Sequence, residues 1–65
     1  MNRMDEVIRL ANASLVLSEI AKSLTAEAMA VKDDTKAVAL LAEARGLLVG
    51  SHVLTQLGRE LFNAA

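Results

Sequence analysis

The chain has 65 residues, 54% of them hydrophobic, and it contains no Cys, Pro, Trp or Tyr. Seven Lys and Arg against eight Asp and Glu give a net charge of −1, so the positive excess typical of non-specific nucleic-acid binders is missing. So short a chain predicts one domain, 1–65, with a marginal core. Without cysteines and with one histidine, disulfides are excluded and structural zinc nearly so, which leaves self-association as the means of stabilisation.

The beginning of the chain is unlike a secretion signal. Asp5 and Glu6 stand where a basic segment would lead into an apolar one. The apolar tract 37–42 is too short to span a bilayer, and Glu43 and Arg45 interrupt its continuation. We therefore expect a soluble protein in the cytoplasm of a bacterial cell or its phage, with no membrane association.

Two helices are predicted in chain order, over about 2–31 and about 35–63. Twelve alanines and eleven leucines favour helix, and no proline interrupts it. Between them, Asp33, Asp34 and Thr35 suit the N-terminus of a second helix, and Lys32 suits the C-terminus of the first. So short a connection forces an antiparallel hairpin, and the predicted class is all-α.

Both helices carry a seven-residue repeat with two apolar positions, a and d. The large d residues are Leu10, Leu17, Leu24 and Val31 in helix 1, and Leu40, Leu47, Leu54 and Leu61 in helix 2. The a residues, small except for Val7, are Val7, Ser14, Ala21 and Ala28, then Ala37, Ala44, Ser51 and Gly58. Such a repeat keeps one seam facing a neighbouring helix, and small a residues allow close backbone approach.

Further apolar residues flank this seam. Ile20 lies beside it in helix 1, while helix 2 has Leu57 on one flank and Leu41, Leu48 and Phe62 on the other. A helix in a bundle needs a wider apolar face than a two-stranded coil does, so we expect two hairpins to form a four-helix bundle. The predicted dimer and core residues are Leu10, Leu17, Ile20, Leu24, Leu40, Leu47, Leu54 and Leu61.

The alternation of small and large layers resembles that of Rop, the small dimeric four-helix bundle. The resemblance covers the layer chemistry of both helices and includes no sequence motif. It implies a dimeric bundle and nothing about RNA binding.

A row of small residues, Ala42, Gly46 and Gly50, follows one side of helix 2. Glycine destabilises a helix interior by about 1 kcal/mol relative to alanine. The row indicates either tolerated local weakness or the close approach of another helix.

No catalytic, cofactor-binding or metal-binding pattern is present. The sequence contains no glycine-rich phosphate loop, no HExxH, no CxxC and no GxSxG. No Glu-x-x-His pair accompanies Glu19, Glu27 and Glu43, which argues against a di-iron bundle. His52 falls on an outward position and is interpreted as a solvated surface histidine. The protein is therefore expected not to be an enzyme and to bind no cofactor.

Two outward surfaces are candidates for binding a partner. On helix 1, an apolar stripe opposite the seam consists of Met4, Ile8, Leu15 and Met29. Exposed apolar patches mark interaction sites, although a dimer mate could also cover the stripe. On helix 2, a basic line of Arg45, His52 and Arg59 suits an acidic partner or phosphates. Gln56 and Glu60 lie alongside, so a merely solvated polar face is the alternative.

The sequence therefore predicts a small homodimeric interaction protein, namely a regulator, inhibitor or adaptor that binds another protein. One alternative is a Rop-like nucleic-acid-binding bundle that uses the basic line. Another is a structural assembly subunit, which would form higher oligomers without a partner.

Overall fold

A computed structural model describes residues 2–64; Met1 and Ala65, the ends of the predicted domain 1–65, lie outside the described residues. Two helices, α1 (Arg3–Ala30) and α2 (Asp34–Asn63), pack against each other along a body 49 Å long. The predicted all-α class and the helical hairpin are confirmed.

Side-chain caps fix where both helices begin. The Asn2 carboxamide oxygen accepts a 2.8 Å hydrogen bond from the Asp5 amide, and the Asp33 carboxylate accepts from the amides of Thr35 and Lys36. Asn2 and Val31 are therefore caps and not helical residues as predicted, while Asp34 is already inside α2. Acidic Asp5 and Asp34 in the first turns stabilise the positive ends of the helix dipoles.

Within residues 2–64, the buried residues are all small. They all belong to the predicted a positions and are Ser14, Ala21, Ala28, Ala44 and Gly58. Ala21 and Ala44 are 1% and 2% exposed. Since no large side chain among the described residues is fully buried, the contact between α1 and α2 is a small-residue seam that brings the backbones together.

A cluster of three hydroxyl groups links the middles of the helices. Ser14 Oγ lies 2.8 Å from Ser51 Oγ and 2.7 Å from Thr55 Oγ1. The Ser51 hydroxyl also donates to the Ser14 carbonyl oxygen at 3.0 Å. Ser14 is thus level with Ser51, and one heptad away Val7 is level with Gly58, whose added Cβ would lie 3.9 Å from the Val7 carbonyl oxygen. These pairs fix the antiparallel register.

The large d residues lie on one side of the seam and are half-buried. Leu10 and Leu17 approach α2 closely. A Cβ added to Gly58 would lie 3.6 Å from Leu10 Cβ, and a Cβ added to Gly50 would lie 3.4 Å from Leu17 Cδ1. We call this side the leucine face; it consists of Leu10, Leu17, Leu24, Val31, Leu40, Leu47, Leu54 and Leu61, bordered by Ile20 and Leu57. Its half-burial leaves the predicted core residues incompletely covered by the hairpin alone.

The glycine row of α2 divides into two environments. A Cβ at Gly50 would meet Leu17 of α1 at contact distance, so the predicted close approach of another helix is observed at this glycine. At Gly46 nothing lies within 4 Å of that position, so within the hairpin this glycine is not needed for packing.

Candidate interaction surface

The hairpin exposes many apolar side chains. Among residues 2–64, thirteen large hydrophobic residues are exposed, and they fall on both sides of the small-residue seam. Scattered exposed hydrophobic residues are normal in proteins, whereas contiguous apolar patches mark interaction sites. The surface of the hairpin is therefore the place to look for function.

The helix 1 stripe and the basic line of helix 2 lie on the same side of the hairpin. Antiparallel helices that pack through corresponding heptad positions place their other corresponding positions on matching sides. Ile8 and Leu15 directly follow an a residue in α1, as Arg45, His52 and Arg59 do in α2. Sequence analysis treated the stripe and the line as separate surfaces, and the hairpin combines them into one.

We call this side the outer face. It consists of Met4, Ile8, Leu15, Lys22 and Met29 from α1, and of Val38, Leu41, Arg45, Leu48, His52, Arg59 and Phe62 from α2. All twelve side chains are exposed, Met29 most of all at 83% among the hydrophobic ones. The sequence placed Leu41, Leu48 and Phe62 on a flank of helix 2, but only the register of the hairpin joins them to the helix 1 stripe.

A groove runs along the outer face at the open end of the hairpin, away from the connection between the helices. One part, of about 350 Å³, is lined by Val7, Ala11, Thr55, Gly58, Arg59 and Phe62, and also by Leu54 of the leucine face. The adjoining part, of about 530 Å³, shares Val7 and Phe62 and adds Asn2, Arg3 and Met4. Because Gly58 has no side chain, the groove reaches the seam there. It is open and apolar, with Arg59 at its edge.

Charged side chains border the outer face along both helices. On α1, Asp5 directly follows Met4 and Glu19 directly follows Ser18, so both acids lie at the edge of the outer face. Asp5 and Glu19 are two heptads apart. On α2, Arg45 and Arg59 are separated by the same two heptads. Within residues 2–64 none of these four side chains forms an ion pair; the ion pair present joins Glu6 to Arg9 at 3.3 Å, near Asp5 in the chain but on another side of α1. Each border charge is thus available to a partner.

The polar side chains of residues 2–64 come together in one cluster, that of the three hydroxyl groups. Among residues 2–64, no three His, Cys, Asp or Glu side chains come together as metal ligands. The hydroxyl groups of Ser14, Ser51 and Thr55 are close together, but their neighbours are hydroxyl and carbonyl oxygens, and none of these is a general base. His52 is exposed, as the heptad predicts.

Helix α2 is long and apolar enough to cross a membrane on length and composition alone, and little of it is buried in the hairpin. Core helices of soluble proteins reach the same length and hydropathy. The unbroken tract 37–42 understated this property, since the charges of Glu43 and Arg45 are too few to offset the apolar residues around them.

Comparison with known proteins adds no family. The chain matches no protein-family model, and neither a curated protein nor a solved structure is significantly similar to it. The features of this protein that bear on function are therefore the helical hairpin and its two apolar faces, the leucine face and the outer face.

Proposed function

We propose that this chain is a small, non-enzymatic interaction protein that works as a homodimeric helical bundle. In this proposal two hairpins bring their leucine faces together as a four-helix bundle. The outer faces then remain at the surface and bind a protein partner, so that the protein acts as a regulator, inhibitor or adaptor. We further propose that it is soluble and cytoplasmic.

The observation that carries the proposal is the half-burial of every d residue. A leucine left half-exposed forgoes part of the roughly 1.5–3 kcal/mol that full burial contributes. Leu10, Leu17 and Leu24, with Leu40, Leu47 and Leu54, form one continuous face of such residues. A stable dimer buries roughly 800 Å² per partner, which is about one sixth of the 4882 Å² that the hairpin exposes. A contact of that size uses a small share of the surface and leaves the outer face accessible.

The outer face supports partner binding because it combines anchors with charge. Apolar anchors contribute most of the affinity in protein interfaces, whereas charges at the rim mainly affect association rate and specificity. Ile8, Leu15 and Phe62 would be the anchors, and Arg45 and Arg59 the border charges.

Affinity capture from lysate of the source cell, followed by mass spectrometry, tests partner binding. A protein captured by the wild type should be lost with Ile8→Ser and with Leu15→Ser. Val16→Ser is the matched control, since Val16 is 56% exposed, against 52% for Ile8 and 60% for Leu15, but points away from the outer face. A captured protein that survives both outer-face variants contradicts the proposal.

The nucleic-acid alternative depends on Arg45, His52 and Arg59 alone. Phosphate binding weakens steeply as salt rises, whereas apolar docking does not. If the captured material were RNA, and raising the salt released it, the basic line would be a phosphate-binding site and the protein-partner proposal would fail. If the protein were instead recovered only together with lipid vesicles, the result would support membrane association through the apolar helix α2.

A further inference from the structure

We infer that the outer face is complementary to itself, so that a second copy of this chain pairs with it through an antiparallel contact between α1 of one copy and α2 of the other. The inference builds on the proposed function, because it names one occupant of the outer face. It rests on the spacing of the border charges and on the register of the hairpin.

The first step concerns the heights of the charges along the hairpin. Ser14 is level with Ser51, as the hydroxyl contact of 2.8 Å shows. Glu19 is therefore level with residue 46, one residue from Arg45, and Asp5 is level with residue 60, one residue from Arg59. One residue corresponds to about 1.5 Å along a helix. Acids on α1 and bases on α2 thus occupy the same two heights.

The second step is the symmetry of the pair. If two outer faces meet across a twofold axis parallel to the helices, α1 of each copy lies opposite α2 of the other, at unchanged height. Asp5 then faces Arg59 of the second copy, and Glu19 faces Arg45. A twofold axis perpendicular to the helices would instead bring the two α2 basic lines together. The charges thus select the arrangement in which both connections between helices lie at the same end.

The third step is the apolar content of the contact. Ile8 and Leu15 of one copy and Leu48 of the other lie between the heights of the border charges, and Met4, Met29, Leu41 and Phe62 extend the apolar contact beyond them. Exposed ion pairs contribute little individually, so the apolar residues provide the stability and the charges provide the register. Lys22 is the one unfavourable group, because its positive charge lies about two residues from the height of the positively charged Arg45 of the second copy.

The consequence for assembly follows from the two faces pointing in opposite directions. Each leucine-face dimer carries one outer face on either side, and two isologous contacts of this kind do not close into a ring. Dimers therefore stack by their outer faces into open chains that grow with concentration. A protein that docks on the outer face ends a stack, so partner binding and stacking compete.

Charge reversal tests the inference on the intact protein by sedimentation velocity. The wild type should show a mass that rises with concentration in steps of one dimer and falls back to the dimer in high salt, because salt screens exposed charges. Asp5→Arg with Glu19→Arg, and separately Arg45→Glu with Arg59→Glu, should each raise the concentration needed for stacking by roughly tenfold or more.

Two further samples separate complementarity from net charge. An equimolar mixture of the two double variants should stack again, because each supplies the charges that the other lacks. The quadruple variant, which swaps all four charges and keeps the net charge of the wild type, should stack alone. Wild-type dimers that never associate further, or a mixture that stays dimeric, would overturn the inference. Monomers in every sample would instead refute the leucine-face dimer, so the two failures are distinguishable.

Discussion

Ser14 Oγ lies 2.8 Å from Ser51 Oγ, and this contact joins the midpoints of two helices whose other buried residues are alanine and glycine. Ser14 is 8% exposed and also contacts Thr55 Oγ1 and the Ser51 carbonyl oxygen. A polar layer at this point favours one register, since sliding the helices by a turn would separate the hydroxyl groups and leave them unsatisfied.

Ser14→Ala should therefore destabilise the protein by about 0.5–1.5 kcal/mol, because it removes the hydroxyl group that bonds across to α2 while Ser51 and Thr55 keep their bonds to carbonyl oxygens. Ser23→Ala is the matched control, since Ser23 is exposed on the same helix. Chemical denaturation followed by circular dichroism measures both. Equal stability of the two variants would show that the hydroxyl cluster does not contribute to stability.

Enlarging the small-residue seam should be costly. Ala21→Leu or Ala44→Leu inserts three extra carbons where the backbones approach, and we expect a loss of about 1–3 kcal/mol or a rearranged bundle. Ala26→Leu, at an exposed position of α1, should be close to neutral. Thermal melting compares them, and a silent Ala21→Leu would mean that the heptad assignment is wrong.

Gly46 reports on whether a helix from another chain packs beside α2. In the isolated hairpin, a Cβ there meets nothing within 4 Å, so Gly46→Ala should stabilise the protein by about 0.5–1 kcal/mol through helix propensity alone. Ala42→Gly, the reverse change at an exposed position one turn earlier, should cost a similar amount. If Gly46→Ala is destabilising in denaturation experiments, a second chain lies against this glycine.

The outer face and the leucine face should respond differently to polar substitution. Ile8→Ser or Leu15→Ser should keep both helicity and dimer mass while weakening partner binding by a kilocalorie or more. Charge reversal at Arg45 and Arg59 should weaken partner binding less. Circular dichroism and light scattering check the first part. If either serine variant dissociates the dimer, the helix 1 stripe is part of the dimer core and the basic line becomes the better partner site.

The sequence predicted the hairpin because its heptads are nearly undisturbed. Every residue that the hairpin buries was assigned to an a position, and Asp33 was recognised as one of the residues able to cap α2. Both ends of α1 and the start of α2 were misplaced by one residue, whereas the end of α2 at Asn63 was predicted correctly. A cap such as Asn2 differs from a helical residue in its backbone angles, which residue type alone does not specify.

The candidate site was less predictable. Ser14 was recognised only as a small residue, because its bond to Ser51 depends on a register that neither helix specifies alone. Uniting the helix 1 stripe with Arg45 and Arg59 likewise required knowing that the a residues lie at the centre of the contact between α1 and α2, with the leucines on one side of it. Heptad spacing gives the faces of each helix, whereas their combination depends on how two helices meet.

The central claim, that the leucine face closes a homodimer, is tested most directly by sedimentation equilibrium on the wild type and on Leu17→Asp with Leu47→Asp, each at low micromolar concentration. Both leucines are half-buried in the hairpin, so a charge there remains hydrated in a monomer but would be buried unpaired in the dimer. The wild type should give at least twice the chain mass of 6.9 kDa, and the double variant should give monomers or unfolded chain. A wild type that is a well-folded monomer under these conditions would contradict the claim.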